Sequence, residues 1–214
     1  MRIAVRSVNV GLPRAIGMQS GEAVISGIRK TPVIPGSLRV GPTGIEGDGQ
    51  ADLRVHGGPD KAVYAYPSDH WSWWQKEHGL TCQPATFGEN LTLEGADEEA
   101  VAIGDRFQWG DVLLEVSQPR APCYKLAMHL SREDLPALMT LSARCGFYLR
   151  VIATGAAPGQ NGWLERVTNS HGPSVRESFV AALHRTAAAG LRKRILEAPA
   201  LAAAWRAAVA RQIR

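Results

Sequence analysis

With 214 residues, 45% of them hydrophobic and 21% charged, the chain is long enough for one sizeable core, or for one domain with a small appendage, and has the composition of an ordinary globular protein. No apolar run approaches the ~20 residues of a membrane span, and the arginines inside "MRIAVRSVNV" are unlike a signal peptide, so a cytoplasmic protein with no membrane partner is expected. The net charge of +4 resides in the tail, where residues 165–214 hold nine Lys/Arg against three Asp/Glu; "RKR" at 192–194, Arg206, Arg211 and Arg214 read as a solvated helical surface rather than a nucleic-acid interface.

In chain order, the first 167 residues show short apolar runs broken by Gly, Pro and Asp, a mainly β pattern with a few helices, or α+β. Strands are expected at "IAVRSVNV", "EAVISGI", "AVYAY", "NLTLE", "RFQW", "VLLEVS", "FYLRVIAT" and "WLERV". Glycine in "WGD" suits a tight hairpin because it accepts positive φ freely. A first helix is expected from an N-cap at Ser68 to a stop at Gly79, with Trp71, Trp74 and His78 on the face that packs on the sheet. A second is expected from Ser131, whose hydroxyl caps it, to Gly146.

After Val167 the periodicity becomes helical. Ser174 and Glu177 form a capping box, and Val175, Phe179 and Leu183 follow at helical spacing. "LRKRILE" is a short helix, and Pro199 is expected in the first turn of the last one, whose apolar stripe is Leu201, Trp205, Val209 and Ile213. The expected organisation is therefore a β domain over residues 1–167 and a small three-helix bundle over 168–214.

Three cysteines without C-x-x-C spacing argue against a disulfide framework or a zinc knuckle. Cys123 stands apart, in "SQPRAPCYKL". Pro119 and Pro122 fix φ and hold the preceding backbone extended, and three residues per polyproline turn place Arg120 on the same side as the thiol. A guanidinium there, with Lys125 nearby, favours the thiolate, the form that attacks electrophiles or binds soft metals. The segment is equally compatible with a buried structural cysteine. Cys82 and Cys145 lack such surroundings and read as structural.

"GGPDK" reads either as a β-turn with Pro59 at its second position or as a loop whose amides approach an anion, flanked by His56 and Lys61. Asp48 and Asp52 lack the spacing of a calcium loop and are expected to orient basic neighbours. "GIRKTPV" places Lys30 and Thr31 at a strand end. Walker, H-E-x-x-H, G-x-S-x-G and G-x-G-x-x-G patterns are absent.

Taken in this order, "GIRKTPV", "GIEGDGQADLRVHGGPDKAVYAYP", "FGENLTLEG", "IGDRFQWGDVLLEVSQPRAPCYKL" and "GFYLRVIATG" resemble the MOSC-domain proteins of the YiiM type, and "PALAAAWRAAVARQIR" resembles the end of the three-helix segment that follows MOSC there. The resemblance implies a compact barrel-like β domain holding a molybdenum cofactor, Mo-molybdopterin, with Cys123 as metal ligand and catalytic residue. It implies a phosphate-bearing pterin, for which Lys30, Lys61 and Arg120 are candidates, and carries His56 and Asn90 as further cofactor-binding positions. It implies reduction of N-hydroxylated compounds, including N-hydroxylated base analogues, with electrons from a separate flavin or iron–sulfur protein, since this chain has no cysteine pattern for its own cluster. A molybdenum-cofactor or sulfur carrier using Cys123 as a persulfide is the alternative. Pyridoxal phosphate attaches only at the level of the family, and a homo-oligomer is compatible with the resemblance.

Overall fold

The computed structural model describes residues 1–34, 36–51 and 57–213; Asp52, His56 and Arg214, singled out above, lie outside the described residues. The elements run β1 (Arg2–Val10), β2 (Arg14–Gln19), β3 (Glu22–Ser26), β4 (Thr31–Pro32), β5 (Ser37–Gly41), β6 (Gly44–Ile45), β7 (Val63–Pro67), α1 (Trp71–His78), β8 (Leu91–Glu94), β9 (Arg106–Trp109), β10 (Val112–Pro119), α2 (Tyr124–Leu130), α3 (Leu135–Ser142), β11 (Phe147–Ala153), β12 (Gly155–Pro158), β13 (Gly162–Thr168), α4 (Val175–Leu183), α5 (Ala189–Glu197) and α6 (Ala203–Ala210). Seven strands in the order β13-β9-β10-β11-β7-β8-β1 close on themselves through β13–β1. The closing register pairs Arg2 with Glu165 and Val5 with Gly162. Neighbours are antiparallel except β7–β8. Closure removes the sheet edges of these strands and leaves the alternate side chains of each to fill one interior. Ile3, Val63, Leu91, Phe107, Leu114, Val116, Phe147, Leu149 and Leu164 are fully buried there.

The eight strands expected from the sequence all form. Gly110 takes φ +60 between β9 and β10, as the hairpin requires. The hairpin strand β2, the short β4 to β6 and β12 were not foreseen; they are brief or lack alternation, and β5 and β12 make a separate small sheet with β6.

The helices bring three corrections. Ser68 does not cap α1: a 3-10 turn at Ser68–His70 precedes the helix, and the Ser68 hydroxyl donates to the Leu93 carbonyl at 2.8 Å. Gly79 does stop α1 in the left-handed conformation. The helix expected from Ser131 to Gly146 is two helices. Ser131, at φ +53, terminates α2 instead of opening a helix. Pro136 sits in the first turn of α3, where its missing N–H and fixed φ cost nothing. The signal for α2 was the Leu126–Leu130 spacing, too short to stand out. Finally, α6 begins at Ala203, so Pro199 lies in the approach to that helix, and Ile213 is exposed.

In the tail the Ser174–Glu177 capping box closes reciprocally. Phe179, Trp205 and Val209 are buried, and Trp205 Nε1 donates to the Ser178 carbonyl at 3.0 Å. These helices are joined to the barrel: Ala202 N donates to Ser117 O at 3.0 Å and Val175 N to Val101 O at 2.9 Å. Their apolar faces belong to one continuous core with the strands. Arg192 is buried and donates to the carbonyls of Ala181, His184 and Arg185, Arg194 pairs with Glu177, and Arg206 donates to Leu196 O and Ala198 O. Much of the basic charge of the tail is thus spent on its own helices. Among the described residues no helix is long and apolar enough to cross a membrane.

Because Phe179 is fully buried in that shared core, Phe179→Ala should cost about 3–5 kcal/mol. Urea denaturation followed by tryptophan fluorescence and far-UV circular dichroism should show one coincident, shifted transition. Loss of the helical signal ahead of an unchanged barrel transition would show that the tail melts independently.

Candidate functional site

Cys123 lies four residues beyond the end of β10. Its φ of −141° and ψ of 164° are extended, and it forms the N-cap of α2. Its half-buried thiol lines a pocket of about 600 Å3, counted to its open mouth, that also holds Lys30, Asp48, Gln50, Lys61, Tyr64, Asn90, Arg120, Lys125 and Tyr148. Four of the five other sequence-derived candidates, Lys30, Lys61, Asn90 and Arg120, therefore meet around the thiol, while His56 lies outside the described residues.

Arg120 is 94% buried by its 6% relative exposure. Its guanidinium lies over the Tyr64 ring at 5.0 Å, beside Met139 Sδ at 3.9 Å, and close to the Tyr148 hydroxyl and Cys123. No carboxylate pairs with it among the described residues. Burial opposes its charge, but the electron-rich phenols and thiols around it prevail, and its pKa lies above the ordinary arginine value. Tyr148 moves upward through burial, with Arg120 opposing. A buried guanidinium without a counter-charge is costly and invites an anion.

Lys30 is placed differently. Its side chain is 7% exposed and forms an ion pair with Asp48, itself 6% exposed. Burial pulls the ammonium below the usual lysine range, against the attraction of Asp48. Asp48 also accepts from Gly11 N at 2.9 Å and from Asn90 Nδ2 at 2.9 Å, so it orients a basic neighbour as the sequence suggested. Asn90 spends its second N–H on Asn9 O at 3.2 Å, and its Oδ1 accepts from Tyr64 N at 3.0 Å. With both amide hydrogens used, Asn90 acts as a brace between β1, β7 and Asp48. Gly88, at φ +77 in the same "FGEN" turn, lies so close to Ile28 that a Cβ would strike it.

Lys61 ends a 3-10 turn at Pro59–Lys61, and Lys61 N donates to Gly58 O at 3.0 Å, so the turn reading of "GGPDK" holds. Half-burial lowers its pKa, against Asp60. The turn is anchored by Arg150, a residue that sequence reasoning passed over: it donates to Asp60 at 2.9 Å, Glu115 at 2.8 Å and Ala200 O at 2.9 Å. Tyr64 and Tyr148 were also missed as pocket walls; their signal was only the strand alternation that turns them to one side. Cys145 is fully buried and burial pushes its thiol well up, while burial pushes half-buried Cys82 up to about 12. Both fit a structural role. Among the described residues no cluster of three or more His, Cys, Asp or Glu could hold a metal by itself.

Beneath the pocket, Glu89 is fully buried and accepts from Ala85 N, Phe87 N and the Thr92 hydroxyl. Burial nevertheless raises its pKa from 4.5 to about 7. The folded value exceeds the unfolded one, so its stability contribution is complete below about 4.5 and is lost as pH rises through about 7. Urea denaturation of wild type and Glu89→Gln at pH 4.5, 6 and 8 should therefore show a wild-type advantage that shrinks as pH rises. A constant difference across that range would mean that Glu89 titrates as an ordinary carboxylate.

A model of the MOSC domain matches residues 52–161. Protein YflK of Bacillus subtilis is 38% identical over 96% of this chain and 92% of its own length, and protein YiiM of Escherichia coli is 39% identical over 80% and 78%. A fungal protein of Gibberella moniliformis named as a reductase is 38% identical over 53% of this chain, which spans only 21% of that protein. The crystal structure of YiiM from Geobacillus stearothermophilus superposes with a TM-score of 0.81 at 34% identity, covering 99% of this chain and all of the other. The barrel, the helical segment packed on it and these matches agree, and the chain belongs to the MOSC domain family.

Proposed function

We propose that the pocket holds a molybdenum cofactor and that the protein is a reductase of N-hydroxylated compounds supplied with electrons by an external flavin or iron–sulfur protein. The observation that carries the reading is the convergence of a half-buried thiol, Cys123, with Arg120, Lys30 and Lys61 from distant parts of the chain. MOSC domains are generally a molybdenum-cofactor-binding family, and the fungal reductase matches part of the same segment.

The residues fit such a group. A cysteine thiolate is a soft ligand suited to a thiophilic metal, and a pterin phosphate needs cations. The buried, carboxylate-free Arg120 offers a full positive charge, and Lys61 lines the same pocket. Lys30 is largely neutralised by Asp48 and serves chiefly as a donor of hydrogen bonds. When bound, the molybdenum centre supplies the two-electron chemistry of the overall conversion R–NHOH + 2e⁻ + 2H⁺ → R–NH2 + H2O. The chain's own part is to present the thiol on an extended, proline-stiffened backbone and to balance its negative charge through Arg120. Tyr148, beside Arg120, lines the same wall with a hydroxyl that keeps its proton at neutral pH. A persulfide carrier calls for a freely exposed thiol, whereas Cys123 is half-buried within a cationic pocket, which favours the ligand role.

Cys123→Ser tests the proposal, because it preserves size but replaces a soft ligand by a hydroxyl that stays protonated. The variant should fold normally, keep part of its pterin through the cations, lose molybdenum measured by elemental analysis, and lose at least a hundredfold in reduction of an N-hydroxylated substrate with an artificial electron donor. Cys82→Ser and Cys145→Ser should keep the activity wherever their folds survive. Wild-type rates in cofactor-loaded Cys123→Ser would refute the ligand role, and a wild type that takes up no molybdenum would favour the sulfur carrier.

A further inference from the structure

Glu98 does not line the pocket, yet its side chain is only 2% exposed, in the segment that joins β8 to β9. Both carboxylate oxygens are engaged. One lies 2.6 Å from Nε2 of His70, in the turn before α1, and the other accepts from Gly146 N at 2.6 Å. A buried carboxylate is costly unless it is paired and hydrogen-bonded, and here one of its two partners is a single backbone amide at the entrance to β11. That amide sits under the pocket wall. The Cys145–Gly146 peptide gives its N–H to Glu98 and its carbonyl, Cys145 O, accepts from the Tyr64 hydroxyl at 2.8 Å. Gly146 O then accepts from Arg120 N at 3.3 Å and from the Cys145 thiol at 3.1 Å. Gly146 is at φ +67, and a Cβ there would strike Ala65 O, so the segment is pressed directly onto β7. One residue therefore sets the main chain of Arg120 and the ring of Tyr64, over which the Arg120 guanidinium lies at 5.0 Å. The tail grips both segments that meet here. Arg176 N in α4 donates to Glu98 O at 2.8 Å, and Arg176 Nη1 donates to Ser142 O at 3.0 Å, three residues before Cys145.

We infer that Glu98 is a positioning residue of the pocket: by holding the Gly146 amide it fixes where Arg120 and Tyr64 stand beside Cys123, and His70 holds the carboxylate in turn. Its effect depends on reach. Only Gly146 separates the Glu98 carboxylate from Arg120 N, so a carboxylate that no longer reaches Gly146 releases the residue to which Arg120 is bonded. A guanidinium recognises an anion through the direction of its N–H groups as well as through charge, and a buried network in which each member is satisfied keeps that direction constant. The same network gives the helical tail a part in the site, because α4 ties the Glu98 segment to the end of α3. This role rests on the reading of the pocket as the cofactor site, whereas the hydrogen bonds that define it do not.

Alkylation of Cys123 by iodoacetamide at pH 7, followed residue by residue by mass spectrometry on the full chain, reads the pocket without cofactor or turnover. The thiolate is the reacting form and Arg120 favours it, so Arg120→Gln should slow the reaction about fivefold. Glu98→Ala should slow it to a similar extent, and the double variant no further, since the two residues act through one connection. Glu98→Gln keeps the length and an acceptor for Gly146 N, and should stay within about twofold of wild type. Glu98→Asp keeps the charge but is one methylene short, and should be slowed as Glu98→Ala is. The reverse order, Asp mild and Gln severe, would mean that only the charge matters and would overturn the proposal. So would wild-type alkylation rates in Arg120→Gln, or in both Glu98→Ala and Glu98→Asp with lowered melting temperatures, the latter being the pattern of a residue that serves stability alone. If Glu98→Ala does not fold, the order of the Gln and Asp variants still decides. In protein loaded with cofactor, Glu98→Asp should retain less molybdenum than Glu98→Gln by elemental analysis. Failure of the reductase reading would appear as absent turnover in wild type and would leave the alkylation order unaffected.

Discussion

The β1–β13 ladder is the constraint on which the rest depends. It joins the first and last strands of the barrel, Arg2 opposite Glu165 and Val5 opposite Gly162, so a contact of very long sequence separation must form before the interior is enclosed. Such closure carries a large loop-entropy cost, met here by an interior of fully buried aliphatic and aromatic side chains. Once the barrel is closed, the segments entering β4, β7 and β8 and the one leaving β10 have little choice of position. Residues numbered 30, 61, 90, 120 and 123 share a pocket because the strands beside them lie close together in the order β10-β11-β7-β8-β1-β4.

Within that frame the pocket is held by two polar systems of different character. Asp48 is satisfied by Lys30, Asn90 and Gly11 N, so the loop that carries it is tied to β1 and to the turn before β8. The Lys30, Asp48 and Asn90 side chains are largely withdrawn from solvent, which makes the arrangement rigid and expensive to break. Arg120 is the opposite case. It has an aromatic face, a sulfur and a phenol around it, yet no negative charge among the described residues. The fold therefore completes one buried cation internally and leaves another to be completed by a ligand. This asymmetry separates a residue that shapes the pocket from one that binds in it, and Asn90 falls with the first group although its motif suggested the second.

Legibility from sequence followed the range of the interactions. Strands such as Arg106–Trp109 and the capping box at Ser174 are set by alternation or by groups three residues apart, and both were readable. The stiffness of the backbone leading to Cys123 was readable because Pro119 and Pro122 dictate it. Helix α2 was not: its seven residues offer one apolar pair, and Ser131 looks identical in sequence whether it opens a helix or, in the left-handed conformation, closes one. Ser68 failed for a similar reason, since the Leu93 carbonyl that takes its hydroxyl belongs to a strand remote in sequence. For the site, residue type pointed to Cys123, Arg120 and the lysines, but the partners that decide their charge, Asp48 for Lys30 and the absence of one for Arg120, are properties of the closed barrel.

The tail shows how the same logic assigns its arginines. A run of cations at a chain end reads as a surface for polyanions, yet Arg192 is buried and gives its hydrogen bonds to the carbonyls that end α4, and Arg206 does the same for those near the end of α5. Orphan carbonyls at helix ends attract cations, so short helices joined by tight connections need basic residues merely to close. Arg14 and Arg29 also donate to carbonyls where they cap no helix, and Arg120 stands in the pocket without a carboxylate partner among the described residues. Basic charge that finishes helices is internal to the fold; basic charge gathered beside a pocket without such work to do is what a ligand meets.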